Sequence, residues 1–490
     1  MAHYRLDDEQ RNFFQQINAA AFTNPFDADY YRNKLDIAEI GLPMTETVLN
    51  QAILTKLNNK LETQRKYAKT KQQLDEKDAR LLEQARLYSI YLTFHNRFDD
   101  FIGEQIAAGD KPIVLPFVAA LLADFHKHDI EQHLAVKYIG LFYQTRRAYY
   151  FISRDILGLS ECMQSLRKHL WNNLFTVDSH WYLAYFCEHM QEFSTLLLGA
   201  TGTGKTRIAQ AIGRSNYIPF NVHNKCYEES FTRSFQSINL SQYPATLLEA
   251  ELFGHKKGAF TGAIESREGV FARCSEHGAV FIDEVGEIDD TIQVKLLNVL
   301  QDRVFTPVGS ADKQQFQGRV IAATNQNIEQ LLEDGSFRED FYYRLCSDVI
   351  TLPTLQQRLS EKPTEELRLL LQSLLHRSIG IIDETLVSIV EQRIQTSLPK
   401  DYHWPGNVRE LEQCVRSICL TGNYLPVKHS SKQLNNATHI SGQEPSVQKL
   451  LQNYCYQLHQ RYGTYEKVAR ITGLDRRTVK KHISVESNCL

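Results

Sequence analysis

Apolar positions along this chain change their spacing twice. From residue 1 to about 155 they recur at three- and four-residue steps, in text poor in Gly and Pro and rich in Leu, Gln, Lys and Glu. That is the period of amphipathic helices, and residues 61 to 87, with charges of both signs between apolar steps, predict one long, mostly exposed helix. From about 157 short apolar or β-branched runs (195–198, 279–282, 320–323) alternate with helix-like segments. Strands alternating with helices predict a mostly parallel sheet covered by helices. From about 356 to 425 the helical period returns, broken at Trp404-Pro405-Gly406-Asn407, where Pro and Gly predict a turn before a helix beginning near Val408. Residues 426–446 read as a linker. The expected organisation is a mostly helical N-terminal domain (1–156), an α/β domain (157–355), a helical lid (356–425), the linker, and a small terminal unit (447–490).

Composition narrows the class. The 490 residues exceed a single core, and a formal charge of -3 describes an ordinary soluble protein. There is no apolar run of about 18 residues, so no membrane span is expected. The N-terminus turns acidic at Asp7-Asp8 without an apolar signal core. Nine scattered cysteines, without a CxxC pair, fit reduced thiols in a cytoplasm.

The chemistry sits in the α/β part. Leu196-Leu197-Leu198, then Gly199-Ala200-Thr201-Gly202-Thr203-Gly204-Lys205-Thr206, then Ile208-Ala209 reads as strand, glycine loop and helix. Glycines let backbone N–H groups curl around phosphate oxygens, Lys205 reaches the outer phosphates, and the helix N-terminus adds positive potential. Thr206 is the expected Mg²⁺ ligand. A second apolar strand ends in Asp283-Glu284, delivering two carboxylates where α/β sheets bind ligands. Asp283 is expected on Mg²⁺ and Glu284 on the attacking water. Either motif alone says nucleotide; together they say ATP hydrolysis. Between them lies Gly258-Ala259-Phe260-Thr261-Gly262-Ala263, a small uncharged loop with one aromatic. It is poor ground for catalysis and good ground for pushing on another protein, since an exposed Phe260 forgoes about 1.5–3 kcal/mol of burial that a partner could recover.

Near the C-terminus, Tyr465–Ile471 and Asp475–Ile483 read as two helices around a Thr472-Gly473-Leu474 turn, with Asp475 capping the second. Val468, Ala469, Leu474, Val479 and Ile483 form one apolar seam. Arg476, Arg477, Thr478, Lys480 and Lys481 are left as candidate DNA contacts. This is a helix-turn-helix pattern, and from Ser446 onward eight Lys/Arg stand against three Asp/Glu, an excess suited to phosphates.

With these motifs in order, the stretch from Leu157 to Tyr424 resembles the central domain of bacterial sigma-54-dependent activators, the enhancer-binding members of the AAA+ ATPases. The resemblance rests on Glu251-Leu252-Phe253-Gly254-His255, the GAFTGA loop, the Asp283-Glu284 strand, Ile321-Ala322-Ala323-Thr324-Asn325, the run from Phe337 to Leu345, and Trp404-Pro405-Gly406-Asn407-Val408-Arg409-Glu410-Leu411. It implies an AAA+ P-loop domain with a parallel sheet and helical lid, acting with ATP and Mg²⁺ as a homo-oligomeric, hexameric ring on sigma-54 RNA polymerase from upstream double-stranded DNA. It implies that Thr324 and Asn325 sense the γ-phosphate, that Arg338 and Arg344 are fingers reaching a neighbouring subunit's site, and that Arg409 is a second sensor on the lid. It also implies that Asn239 is the switch that holds Glu284 away from water, and that residues 258–263 contact sigma-54. The chain departs from the pattern by extra length between Leu157 and Gly199 and between Phe220 and Asn239.

Activators of this kind carry an N-terminal regulator, often a phosphorylated receiver, but residues 1–155 offer helices in place of a receiver's alternating strands. Asp7-Asp8 and Asp99-Asp100 read as solvated faces. Tyr143, Tyr149, Tyr150 and Phe151 form an aromatic cluster that packs a core or lines a ligand pocket. Two rival readings are a replication initiator or helicase loader, which leaves the GAFTGA loop unexplained, and a regulator using ATP only as a ligand, which leaves Glu284 and both arginines unexplained.

Overall fold

In a computed structural model of the chain, the described residues are 5–40, 44–68, 75–399, 401–426, 451, 454–455, 458–459 and 463–484. The expected linker at 426–446 lies outside them except for Pro426. The chain forms two compact units, 1–426 and 427–490.

Six helices open the first unit: α1 (Asp8–Phe22), α2 (Ala28–Ala38), α3 (Glu46–Ala68), α4 (Glu76–Ala108), α5 (Val118–Lys127) and α6 (Gln132–Asp155). The described residues between 61 and 87 belong to two helices, not to one. These helices pack antiparallel, with Asn58 accepting from the Ser89 hydroxyl at 2.6 Å and Asn50 meeting His95 at 3.4 Å. Nor is the stretch mostly exposed: Leu61, Leu82, Ala85 and Leu87 are buried. A single sequence cannot tell an exposed helix from a hairpin whose apolar stripes face each other. Of the acidic pairs, Asp7, Asp8 and Asp100 are exposed as expected, and only Asp99 differs. Asp7 caps α1 by accepting from Gln10 N at 2.8 Å, and Asp99 holds Arg146 in a two-point contact at 2.7 and 2.6 Å.

The central sheet has five parallel strands, β1 (Thr195–Leu198), β2 (Phe235–Asn239), β3 (Ala279–Asp283), β4 (Arg319–Thr324) and β5 (Asp348–Thr351), in the order β2-β3-β4-β1-β5. Alternate strand residues feed two cores. Leu196, Val280, Ile282 and Val320 point to one face, and Leu197, Phe281, Ile321 and Ile350 to the other. Both faces are apolar because both are covered, the usual state of a parallel sheet. One face carries α7 (Glu161–Phe175) and α8 (Lys205–Gly213), with Leu141, Ala148 and Ile152 of α6 packed into the same core. The lid is four helices, α9 (Leu355–Glu361), α10 (Pro363–Ile379), α11 (Glu384–Ser397) and α12 (Asn407–Thr421), around a Leu- and Val-rich core closed by Trp404.

The N-terminal helices are built into this assembly. Arg147 of α6 is fully buried and donates to the Arg214 and Asn216 carbonyls, each at 2.7 Å, while Gln144 donates to the Ser215 carbonyl at 3.0 Å. These carbonyls sit at or just beyond the end of α8, where helices leave acceptors unmatched. The extra residues after Phe220 form a two-stranded hairpin (Phe220–Asn221 with Cys226–Tyr227). Its Tyr227 stacks on Tyr143 at 4.1 Å between centroids, and Phe231 packs against Phe151. Tyr143 and Phe151 are thus core residues.

In the second unit, α13 (Tyr465–Thr472) and α14 (Arg476–Ser484) pack through Val468, Val479 and Ile483 with Ala469 and Leu474 beside them. Asp475 caps α14, accepting from the Arg477 and Thr478 amides at 2.8 and 3.0 Å. Among the described residues no helix is long and apolar enough to cross a membrane, and the eight described cysteines are free.

Candidate nucleotide site

The strand order reverses around β1, so the loop after β1 and the end of β3 open on the same edge, where doubly wound sheets take their ligands. A cleft of about 500 Å³ lies there. It is lined by Thr201 to Ile208, by Asp283 and Glu284, by Asn239 and by Arg409. Gly202 shows why the glycine loop needs glycine. Its φ is +81°, and a Cβ there would stand 2.2 Å from the Gly406 carbonyl oxygen. The lid rests directly on the loop at this point: Val408 N donates to Gly202 O at 3.1 Å and the Asn407 amide donates to Thr201 O at 3.0 Å.

The charged groups in the cleft are held out of their ordinary range. Burial lowers the pKa of Lys205, whose ammonium donates to Gly199 O at 2.8 Å. Burial raises those of Asp283 and Glu284, and the attraction of Lys205 recovers part of the shift in each. Glu284 has φ +60° and a buried Oε2 without a hydrogen-bond partner. A strained backbone presenting an unpartnered carboxylate oxygen is a poor structural arrangement and a good one for a proton acceptor. Thr206 and Asp283 line the same cleft, so an oxygen donor pair of the kind a hard cation takes is present.

Three expectations need correction. Thr324 is fully buried at the end of β4, its hydroxyl accepting from Gln326 N at 3.1 Å, so it does not reach the cleft. Asn325 beside it does approach, donating to the Thr201 hydroxyl at 3.0 Å. Asn239 donates to Asp283 at 3.4 Å and caps Ser241, so here it holds Asp283, not Glu284. It ends β2 in register with Asp283, and the parallel pairing brings those two side chains together. Phe260 is half-buried against His255, at 5.0 Å between ring centroids, while Thr261 is exposed and Ile264 is 77% exposed. The loop therefore shows Thr261 and Ile264 outward, with Gly258 (φ +81°) and Gly262 (φ +104°) making its two turns.

Neither Arg338 nor Arg344 lines the cleft of its own chain. Arg338 pairs with Asp290 at 3.2 Å and Asp340 at 2.8 Å, and Arg344 is exposed. In the C-terminal unit Arg477 and Lys480 are exposed, Arg476 pairs with Glu466 at 2.8 Å, the Thr478 hydroxyl is bonded to Asp475, and Lys481 is exposed as well.

Sequence reading missed how the lid meets the entry to the α/β part. Glu366 is fully buried and accepts from Leu159 N at 2.5 Å and Ser160 N at 3.1 Å, while Arg358 binds Glu366 at 2.7 Å and donates to Leu157 O at 2.8 Å. Arg358, Leu157, Leu370 and Leu374 all line the cleft. No local pattern marks a Glu eight residues after an Arg as gripping a loop some 200 residues away.

Comparison with known proteins agrees with this architecture. Residues 186–351 match the sigma-54 interaction domain. Among curated relatives, the Nif-specific regulatory protein of Azotobacter vinelandii is 40% identical over 222 residues, covering 45% of this chain and 38% of the relative. A signal-transduction and transcriptional-control protein of Clostridium beijerinckii is 32% identical over 375 residues, covering 70% of this chain and 51% of the relative. The transcriptional regulatory protein GlrR of Escherichia coli is 38% identical over 228 residues, covering 46% and 47%. The chain thus spans about half or less of the length of these relatives. The part of the chain that carries the nucleotide cleft and the GAFTGA loop is thus similar to the sigma-54 interaction domain of transcriptional activators.

Proposed function

We propose that the chain hydrolyses ATP and uses the cycle to remodel the closed complex of sigma-54 RNA polymerase from a site on upstream DNA. The observation that carries this reading is the joining, in one sigma-54 interaction domain, of a cleft holding Lys205, Asp283 and Glu284 with a projecting loop that exposes Thr261. Thr206 and Asp283 are the residues that would hold Mg²⁺, which when bound neutralises phosphate charge. Lys205 and the backbone of the glycine loop orient the phosphates. Glu284, kept basic by burial and with its Oε2 left without a hydrogen-bond partner, takes the proton of the attacking water. Arg338 and Arg344, lying outside their own cleft, complete the site of a neighbouring copy, so turnover requires assembly into a ring. Arg409 reports lid closure from within the chain. The N-terminal helices (1–156) are the regulatory part, and α14 enters a major groove through Arg476, Arg477, Thr478, Lys480 and Lys481.

The test is Thr261→Ala. ATP turnover should stay within about twofold of wild type, because the side chain is exposed and does not line the cleft, while opening of a sigma-54 promoter should be lost. Promoter opening at the wild-type rate by that variant would refute the proposal.

A further inference from the structure

A second cavity lies among the N-terminal helices, α7 and the segment that follows α7 (Ser179, Tyr182 and Leu183). It is a half-open pocket with about 140 Å³ of accessible space, walled by Tyr30, Tyr88, Tyr91, Tyr149, Trp171 and Phe175, among others. That volume is close to the roughly 150 Å³ of an engineered apolar cavity that accepts benzene, so it has room for a single ring and little else. Its charges are already matched. Arg146, which lines it, is held at two points by Asp99, and Lys34 next to the Tyr30 wall is paired with Glu46 at 3.2 Å. An ion entering would have to displace one of these pairs, so the site favours a neutral guest. Among the described residues neither the Tyr138 nor the Tyr88 hydroxyl in this wall has a hydrogen bond, and the deeper of the two is Tyr88, only 6% exposed. Buried hydroxyls are normally partnered, so this one is available to a guest.

The cavity also has a direct mechanical connection to the nucleotide site. Helix α6 presents Leu141, Phe142, Thr145, Arg146 and Tyr149 to the cavity, while Gln144 and Arg147 face the end of α8. The wall residue Tyr182 donates to Gln144 Oε1 at 2.7 Å, and Gln144 donates to Ser215 O at 3.0 Å. Two hydrogen bonds therefore link the cavity wall to the Ser215 carbonyl, just past the end of the helix that begins at Lys205. At the end of α6, Asp155 and the following Ile156 and Leu157 line the nucleotide cleft itself.

We infer that this cavity is an effector site for a neutral, single-ring molecule bearing one hydrogen-bonding group, and that its occupancy is transmitted through α6 to the nucleotide cleft. The transmission half of this inference rests on the nucleotide reading above; the binding half does not.

The experiment titrates the full chain with aniline, benzene, benzoate and 1-naphthylamine, followed by calorimetry and ligand-observed NMR. Aniline should saturate at one molecule per chain at millimolar concentration or below. Benzoate should bind about tenfold more weakly or worse because of its charge, and 1-naphthylamine likewise because of its second ring. Tyr88→Phe should weaken aniline about fivefold and leave benzene unchanged. Thr145→Trp, which fills the cavity, should abolish both while keeping the wild-type melting profile. Failure of aniline to saturate overturns the site, as does wild-type aniline affinity in a folded Thr145→Trp. If Thr145→Trp does not fold, unchanged aniline affinity in Tyr88→Phe overturns it. ADP affinity is measured in the same samples: a shift of about twofold or more between aniline-free and aniline-saturated protein is expected, with the reciprocal shift in aniline affinity. A chain that binds aniline but no nucleotide keeps the effector site and refutes the ATPase reading. A chain that binds both without mutual effect refutes the transmission.

Discussion

Replacing Arg147 tests whether the N-terminal helices are a structural part of the ATPase. Its guanidinium is fully buried, stacks over Tyr143 at 4.6 Å, and donates to the Arg214 and Asn216 carbonyls at 2.7 Å each. Hydrogen bonds from a charged donor contribute about 1.5–3 kcal/mol each. Removing the donor also leaves two carbonyls at the end of α8 facing a void. Against this stands the cost of burying the cation: burial lowers its pKa, and its Nε has no partner. The net cost of Arg147→Ala should be about 3–5 kcal/mol, the range found when one member of a buried charged contact is removed. The effect should be local first, because the lost bonds all end on residues 214–216. Urea unfolding gives the global figure, and amide exchange across 205–216 gives the local one. Arg147→Lys should recover only part, since one ammonium cannot span both carbonyls as a planar fork does. If Arg147→Ala unfolds within about 1 kcal/mol of wild type and exchange at 205–216 is unchanged, then α6 does not brace the P-loop helix and the reasoning fails.

Glu284→Gln should bind ATP but turn it over about 10²–10⁴-fold more slowly, measured by phosphate release; unchanged turnover would remove the proposed base. Gly202→Ala should weaken ATP binding and loosen the lid, because a Cβ meets the Gly406 carbonyl at 2.2 Å in a backbone with φ +81°; a fluorescent-nucleotide titration reads the loss, and wild-type affinity would refute it. His169 Nε2 lies 2.9 Å from Asp348 Oδ1, and that hydrogen bond raises the imidazole pKa above about 6.5. The pair's stabilisation is therefore fully present below the unfolded value and is lost as pH rises through the folded one. Because the imidazole is partly exposed, the contribution should be only a few tenths of a kcal/mol. His169→Gln should accordingly flatten the urea midpoint against pH between about pH 6 and 8, and an undiminished slope would show that another group is responsible.

Much of the nucleotide site could be read in the sequence because each part is local. The strand at 195–198 came out as Thr195–Leu198, the second as Ala279–Asp283, and the helix expected near Val408 begins at Asn407. A glycine loop between a strand and a helix, a carboxylate pair at a strand end, and an aspartate at a helix start carry their chemistry within a few residues. Errors arose where a side chain's fate depends on a neighbour distant in sequence. Asn239 faces Asp283 because parallel register sets the two opposite each other, and Thr324 is sealed in because the chain crosses over it at Gly286, where a Cβ would lie 2.8 Å from its hydroxyl.

Composition, period and motif order by themselves determined a helical N-terminal part, a parallel-sheet nucleotide domain, a helical lid and a basic two-helix ending. Only tertiary packing decided that the first helices brace the P-loop helix through Arg147 and Gln144, that Glu366 grips the backbone at Leu159 and Ser160, and that a ring-sized cavity opens beside Tyr88. The physical reason is range. Turn geometry and helix capping are fixed by adjacent residues, whereas burial, an unpartnered hydroxyl or a carbonyl met by a guanidinium exists only once segments far apart in the chain are brought together.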